Sequence, residues 1–469
     1  MSAQPAPTDA PVSLASVLTR HIASGAKPRS PTAHLIDGSP APQLLVVNGT
    51  QLYELSATVA TDYASLLDAG DEAGLNRLLT AHGLDAPPVI DDQPLAPMPA
   101  HALSLAIAQK CNLGCGYCYA QQGAFGGAPR NMSWDTAKAS IDLLLRDAAA
   151  GQRLNLAFLG GEPLVNRPVL RQATEYAAEA AARRRLAIGF SITTNGTLLN
   201  ADDAEFFERH GFAVTVSLDG DAETHDRLRP FKNGRGSYDR IIERLQPLLR
   251  QQRRMQVSAR VTVTPQNLDL PRTLDQFIEL GLHSVGFSPL LRAANGREEL
   301  ATEGLTAMLE GMIACGLRFE QQVLAGVRYP FLNMVNALRE LRRGTHRPYP
   351  CGAGAGYFGV SADGALSACH RFVGDKDGQL GSLANGIDRQ RQSEWLASRH
   401  VHQQTPCSGC WARYLCGGGC HHEVLARGRG ACDYIRGWLH YTIQAYGRLA
   451  HLAPDWFGDG ASPITAPPG

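Results

Sequence analysis

The chain has 469 residues, 44% hydrophobic and 19% charged, which fits a globular protein of two or three domains. Its 44 Lys and Arg balance 44 Asp and Glu, leaving neither a basic footprint for nucleic acid nor an acidic tail. No run of about 18 apolar residues offers a membrane span. The Pro- and Ala-rich start lacks the basic-then-apolar order of an export signal, so a cytoplasmic location is expected.

Residues 1–30 are expected to be disordered. Apolar runs at 44–47 and 51–55 flank Asn48-Gly49, a strong hairpin signal. Ser56 is placed to cap a helix reaching about 69, and a second helix fits 72–82. This combination predicts a small winged-helix-like unit over 31–98, whose end at 86–99 is a Pro- and Asp-rich linker. From 103 onward the pattern changes. Strand candidates at 103–108, 154–159, 187–193, 213–218, 257–264 and 284–288 alternate with helix candidates at 134–149, 168–184, 201–210, 238–251 and 271–280. Such alternation predicts an α/β fold, a partial (β/α)6 barrel over 99–343 with its chemistry at the strand C-termini. Residues 305–343 read as helical. The stretch 344–445 is Gly- and Cys-rich with weak periodicity, so it is expected to bury little apolar area and to need metal to hold it. A loose tail is expected over 446–469.

Eleven cysteines are distributed unevenly: Cys111, Cys115 and Cys118 form one group, seven lie from Cys351 to Cys432, and Cys315 stands alone. Without an export signal, clustering favours metal ligation over disulfides. Cys111-Asn-Leu-Gly-Cys115-Gly-Tyr-Cys118 directly follows the first barrel strand. Three thiolates can ligate three irons of a four-iron cluster and leave the fourth iron open to S-adenosylmethionine (SAM). The alternatives are a zinc knuckle lacking a ligand, or three ordinary thiols. Further motifs end the next strands: Gly160-Gly161-Glu162-Pro163, Thr193-Thr194-Asn195-Gly196 and Ser217-Leu-Asp219-Gly, followed by His225-Asp226-Arg-Leu-Arg229. Each alone is a common turn; their order after successive strands is the signal.

With these motifs the chain resembles the radical SAM superfamily, whose hallmark is the C-x3-C-x2-C loop. The resemblance implies a 4Fe–4S cluster on Cys111, Cys115 and Cys118. It also implies SAM contacts from Tyr119, Gly160, Gly161, Glu162, Thr193, Asn195, Ser217, Arg229 and Arg260. Glu162 would take the SAM ammonium, Thr193 and Asn195 its ribose or methionine part, and Ser217 and Arg229 its carboxylate. The C-terminal spacing resembles the SPASM extension, which holds two auxiliary 4Fe–4S clusters. By that resemblance Cys351, Cys369 and Cys420 belong to the first, and Cys407, Cys410, Cys416 and Cys432 to the second. Zinc ribbons on the same thiols are the competing reading. The first set is one thiol short; His346 is a candidate fourth ligand, and an open iron is the alternative. Cys315 is expected in a core, and His421 and His422 are expected to pack or to face solvent.

SPASM proteins of this kind mostly modify peptides. The N-terminal unit resembles the peptide-binding winged helix of maturases of ribosomally made peptides. A precursor peptide or small protein is therefore the implied partner, added as a strand; a structural cap is the alternative. Cys369-His370-Arg371-Phe372-Val373-Gly374 resembles the segment of thioether-forming, cyclophane-forming and quinohemoprotein amine dehydrogenase maturases, and the Cys111 loop with its 120–127 continuation resembles the quinohemoprotein group. The implied activity is that of a radical oxidoreductase installing thioether or cyclophane cross-links, fed by a flavodoxin- or ferredoxin-type electron donor. Anaerobic sulfatase maturases share the architecture but carry Asp where His370 stands. Formylglycine formation, the alternative, is thereby disfavoured, although a histidine can itself accept a proton, which makes His370 a candidate catalytic base. A non-catalytic zinc-binding peptide adaptor is a further reading, and it leaves the SAM motifs without a use.

Overall fold

The computed structural model describes residues 14–458 apart from Ser39, Ala86, Ala294 and Thr345; residues 1–13 and 459–469, expected to be loose, lie outside it. The expected disorder does not extend to residue 30. Leu14–Gly25 is a helix, α1, with Ala15, Thr19 and Ile22 buried at helical spacing. The Pro-rich residues just before it conceal that stripe. Next come β1 (Ala33–Ile36), β2 (Gln43–Val46) and β3 (Gln51–Glu54), an antiparallel sheet of which the sequence announced only the β2–β3 hairpin. Helices α2 (Ala57–Ala69) and α3 (Glu72–Ala81) follow, and Ser56 caps α2 by accepting the Val59 N–H at 3.3 Å. One face of this sheet, with Leu44, Val46 and Tyr53, packs under Tyr63, Leu75 and Leu79 of the two helices. The other face, with Ile36, Leu45 and Leu52, joins the main core.

The barrel runs β4 (Ala102–Gln109), β5 (Arg130–Asn131), α4 (Trp134–Arg146), β6 (Arg153–Gly160), α5 (Arg167–Arg183), β7 (Ala187–Thr194), α6 (Ala201–His210), β8 (Ala213–Ser217), α7 (Ala222–Leu228), α8 (Tyr238–Gln251), β9 (Gln256–Val263), α9 (Leu270–Glu279) and β10 (Ser284–Pro289). The six long strands are parallel, in the order β10-β9-β8-β7-β6-β4. Strand residues alternate in character. Leu154, Leu156, Phe158, Ile192, Val214, Val216, Val257 and Val261 are buried in the apolar layer shared with the helices. The intervening positions, among them Thr193, Thr215, Ser217, Ser258 and Thr262, are polar and only partly buried. An apolar outer layer drives closure, and the inner face is left wet and able to bind a polar ligand.

The helical stretch expected over 305–343 is two helices, α10 (Thr302–Leu324) and α11 (Leu332–Arg342), separated at Gly326 and Pro330. Beyond them β11 (Tyr357–Val360) pairs in parallel with β4, and β12 (Ala365–Ser367), β13 (Gln379–Ser382) and β14 (Gly386–Ile387) continue the same sheet. Helices α12 (Arg389–Arg399), α13 (Arg413–Cys416), α14 (His421–Arg427) and α15 (Cys432–Leu452) complete the chain. Two expectations are corrected here. Residues 344–445 are not thinly packed: Trp395, Trp411, Tyr414, Tyr434 and Tyr441 are all buried. Their irregular spacing among glycines produces no period for a sequence reading to detect. The expected boundary at 445/446 falls inside α15, and α1 packs on both α10 and α15.

Trp411 joins the N-terminal unit to this region. Its ring lies parallel to His34 of β1 at 3.8 Å, and its indole N–H donates to the Ala26 carbonyl at 2.8 Å. His34 in turn meets His440 of α15 at 3.0 Å, and Arg413 donates to Asn48 Oδ1 at 2.9 Å. Trp411→Ala should therefore cost about 3–5 kcal/mol of stability, the usual range for a buried aromatic truncated to alanine. Urea unfolding measures the loss, and hydrogen exchange should show β1 losing protection before the barrel strands.

Candidate active site at the cysteine loop

The loop after β4 is gripped by backbone packing. A Cβ on Gly160, whose φ is 144°, would lie 2.3 Å from the Ala108 carbonyl oxygen. A Cβ on Gly161 would lie 2.4 Å from that of Lys110, and one on Gly123 would lie 2.6 Å from the Gly161 Cα. The end of β6 thus presses directly on the loop, and only glycine fits there. Gly161 N–H donates to Ala108 O at 2.8 Å and Glu162 N–H to Lys110 O at 2.9 Å. The Glu162 carboxylate is fully buried. It accepts from Leu164 N–H (3.0 Å), Thr194 Oγ1 (2.8 Å) and Asn195 N–H (2.7 Å). Burial raises its pKa, and these three donors oppose the rise. Asn195 is equally engaged: Nδ2 donates to Asn112 Oδ1 at 2.9 Å and to Cys111 Sγ at 3.6 Å, while Oδ1 accepts from Thr197 N–H and Oγ1. Glu162 and Asn195 therefore stand in the wall behind Cys111, with their hydrogen bonds made inside the protein.

Cys111, Cys115 and Cys118 are free, partly buried thiols close enough to influence one another's ionisation. Burial pushes the Cys115 thiol up to about 11, against the pull of the Arg229 guanidinium. Arg229 is itself buried, donates to the Tyr117 hydroxyl, and pairs with Asp219 at 3.4 Å. Its Nε–H is buried without a partner. The stretch 225–229 explains how it is held. His225 Nδ1 accepts the Asp219 N–H at 3.2 Å, so Nε2 carries the proton and donates to Ser237 Oγ at 3.1 Å. Ser237 then donates to the Arg229 carbonyl at 2.7 Å. Asp219 is fixed from β9 by the Thr262 N–H at 2.8 Å.

Thr193, Ser217 and Arg260 occupy inner-face positions, and Ser217 is in register with Arg260 across β8 and β9. Arg260 donates to Ser288 Oγ at 3.0 Å; burial and the neighbouring Arg371 disfavour its charge. Tyr119 packs edge-on against Phe125, His370 and His422, with the Arg371 guanidinium 5.3 Å from its ring centre. Arg371 pairs with Glu423 at 2.6 Å. His370 is held down to about 3 by burial and by Arg371, so it is neutral near pH 7. Tyr357 donates to Ser104 Oγ at 3.0 Å and meets His370 Nδ1 at 2.8 Å, so Nδ1 is the donor there and Nε2 keeps a free lone pair.

Cys351, Cys369 and Cys420 lie within mutual electrostatic reach. Cys407, Cys410, Cys416 and Cys432 line a cavity of about 230 Å3 together with Arg429 and Arg436, and Cys420 of the first group also borders it. Cys315 is fully buried, as expected of a core residue. His421 and His422 pack inside, and His422 Nε2 accepts from Arg292 at 3.0 Å. His346 lies against Tyr414, with ring centres 6.4 Å apart. Among the described residues no three His, Cys, Asp or Glu side chains close around a single metal ion. The donor set at Cys111, Cys115 and Cys118 suits an iron–sulfur cluster and an anionic ligand. Three soft thiols share one loop, and a spare buried guanidinium N–H lies beside them.

Residues 105–278 match the family model described as the radical SAM superfamily. The barrel of this chain is a radical SAM domain. A serine-type anaerobic sulfatase-maturating enzyme from Klebsiella aerogenes is 26% identical over 357 residues, covering 72% of this chain and 83% of that protein. A cysteine-type enzyme of the same description from Clostridium novyi is 32% identical over 151 residues, 30% of this chain and 38% of that one. In fold, the chain is similar to native anSMEcpe with bound AdoMet, with TM-score 0.64 and 19% identity over 76% of this chain and 99% of that one. It is also similar to Streptococcus suis SuiB bound to precursor peptide SuiA, with TM-score 0.50 and 16% identity over 84% and 96%. A radical SAM domain implies a 4Fe–4S cluster and SAM.

Sequence reasoning missed Tyr117, Asp219 and Thr194 as partners of the site residues, and the Arg371–Glu423 pair. Tyr117 is hidden as a spacer between two cysteines, and Asp219 as the third residue of a turn motif. His225 has a pH signature. Its folded pKa is pushed down to about 3, chiefly by burial. The unfolded chain therefore binds more protons below about pH 6.5, and stability is full above that pH and lost as pH falls. Urea unfolding should lose about 2 kcal/mol between pH 7 and pH 5 through His225 alone. His225→Gln, which can make both hydrogen bonds, should lose that much less over the same interval.

Proposed function

We propose that this radical SAM enzyme is a peptide maturase that installs intramolecular cross-links, thioether or cyclophane, in a ribosomally made peptide or small protein. The observation carrying this reading is the wall shared by two cysteine groups. Tyr119, next to Cys118, packs on His370, which follows Cys369 directly, and on His422, two residues after Cys420. A substrate in the polar lumen would thus lie between the Cys111 loop and a second thiol group. In this reading residues 31–98 are the peptide-recognition unit, 99–343 the radical SAM barrel, and 344–445 the SPASM region with two further 4Fe–4S clusters.

A cluster on Cys111, Cys115 and Cys118 with SAM bound supplies a 5′-deoxyadenosyl radical able to remove hydrogen from an unactivated side-chain carbon. The chain's own residues do the rest. Arg229 Nε and the Ser217 hydroxyl offer donors to the SAM carboxylate, and Glu162 sets a buried negative charge near its ammonium. Thr193 and Arg260 supply polar contacts from the inner face, and Tyr119 forms an aromatic wall. Gly160 and Gly161 keep the loop against β6, so that the reacting atoms are held at fixed separation. In this reading His370 Nε2 would accept a hydrogen bond from the substrate; its depressed basicity suits orientation better than full proton transfer.

Sulfatase maturation is the second reading, favoured by the Klebsiella relative. Both readings remove two hydrogens per site when serine is the sulfatase target, so mass alone does not separate them. The test is anaerobic co-expression with the small peptide encoded beside the gene, followed by tandem mass spectrometry. The cross-link reading expects loss of two hydrogens per site, fragments missing inside a ring and no reaction with an aldehyde-directed hydrazide, and it expects the Cys111→Ala enzyme to leave the peptide mass unaltered. An aldehyde on a sulfatase peptide would favour the second reading. An unmodified peptide from brown enzyme that still cleaves SAM would remove the main support for the first.

A further inference from the structure

Two surface grooves meet on the outer side of the cysteine loop. One, of about 510 Å3, is lined by Lys110, Cys111, Asn112 and Lys232 among others. Its neighbour, of about 540 Å3, shares Asn112 and is lined by Arg235 and Arg240. Neither is lined by the inner-face residues Thr193, Ser217 or Arg260. The floor they share is rigid. Asn112 accepts from Asn195 at 2.9 Å and donates to Thr197 at 2.8 Å. Residues 230–236 lie directly on the loop: Gly114 N–H donates to Pro230 O at 2.8 Å, Lys232 N–H to Asn112 O at 3.4 Å, and Leu113 bridges to Phe231. Cys111 itself reaches the first groove, so a molecule seated there would sit one residue layer from the thiol group.

The charge at this spot is unbalanced. Lys110, Lys232, Arg235 and Arg240 make no ion pair among the described residues, and the last three are exposed. The acids lining the grooves are Asp239 and Glu243, on the first turns of α8. The chain as a whole is neutral, so four spare cations beside one thiol are a local excess. Reductive chemistry at Cys111, Cys115 and Cys118 requires electrons delivered singly from outside. Protein electron carriers do this through small, weak encounter surfaces steered by opposite charge.

We propose that the joined grooves are the docking site of an acidic one-electron carrier protein of the flavodoxin or ferredoxin type, whose surface carboxylates meet Lys110, Lys232, Arg235 and Arg240. This rests on reading the three cysteines as a cluster site. One electron leaves the carrier's reduced cofactor and enters that cluster; the carrier departs oxidised by one electron, and no atom is transferred. Docking lies outside the barrel, so it leaves the lumen open to SAM and substrate.

The test follows SAM cleavage by the reconstituted holoenzyme, driven either by a purified acidic flavodoxin kept reduced by its reductase or by dithionite. In the wild type the KM for flavodoxin should rise with salt, as screened charges predict. Lys232→Glu combined with Arg235→Glu should raise that KM about tenfold at low salt and flatten its salt dependence. Iron content and the dithionite-driven rate should stay as in the wild type. Glu243→Lys should shift the KM the other way. An unchanged flavodoxin KM in the charge-reversal variant overturns the docking site. Failure of the wild type to cleave SAM even with dithionite overturns the cluster reading instead.

Discussion

The site depends on a contact with no room in it. The end of β6 lies against the loop after β4 so closely that Gly160, Gly161 and Gly123 have backbone where any side chain would go. Glu162 then locks the junction, taking donors from Leu164, Thr194 and Asn195 and giving its own N–H to Lys110. A buried carboxylate without partners would be costly, and here it is matched by three hydrogen bonds. Through Asn195 the same network reaches Cys111, so the ends of β4, β6 and β7 and the thiol loop form one rigid body.

A second constraint is that neither face of the N-terminal sheet is free. One face is covered by its own helices and the other by the main core, with Trp411 clamped to His34 and Ala26. Trp411 stands next to Cys410. The N-terminal unit and the loop carrying Cys407 and Cys410 therefore share one aromatic contact. The inner face of the barrel is the complement of this packing: because the apolar residues face the helices, Thr193, Ser217 and Arg260 are left to line a polar interior.

Much of this was legible because it is periodic or locally encoded. The six barrel strands alternate with helices whose ends fall within a few residues of the sequence expectation, and Ser56 caps α2 as its position suggested. The cysteine loop was visible from spacing alone. What escaped was long-range or aperiodic. β11 pairs with β4 across some 250 residues, and no local pattern reports that. α1 was masked by the Pro-rich residues before it, and the buried aromatics of 344–445 have no period. The roles of residues within a motif were also hidden. Glu162 reads as a ligand for an ammonium, and its carboxylate also accepts three hydrogen bonds from the protein. Arg229, by contrast, retains a buried N–H without a partner, and only coordinates could separate the two.

The most direct measurement is low-temperature electron paramagnetic resonance of anaerobically reconstituted, dithionite-reduced protein with and without SAM. The account predicts a reduced 4Fe–4S signal whose g values move when SAM is added, and a Cys115→Ala variant in which that SAM-responsive signal is absent. A spectrum indifferent to SAM, or a SAM-responsive signal that survives in Cys115→Ala, would contradict the assignment of the cysteine loop as the SAM-binding centre.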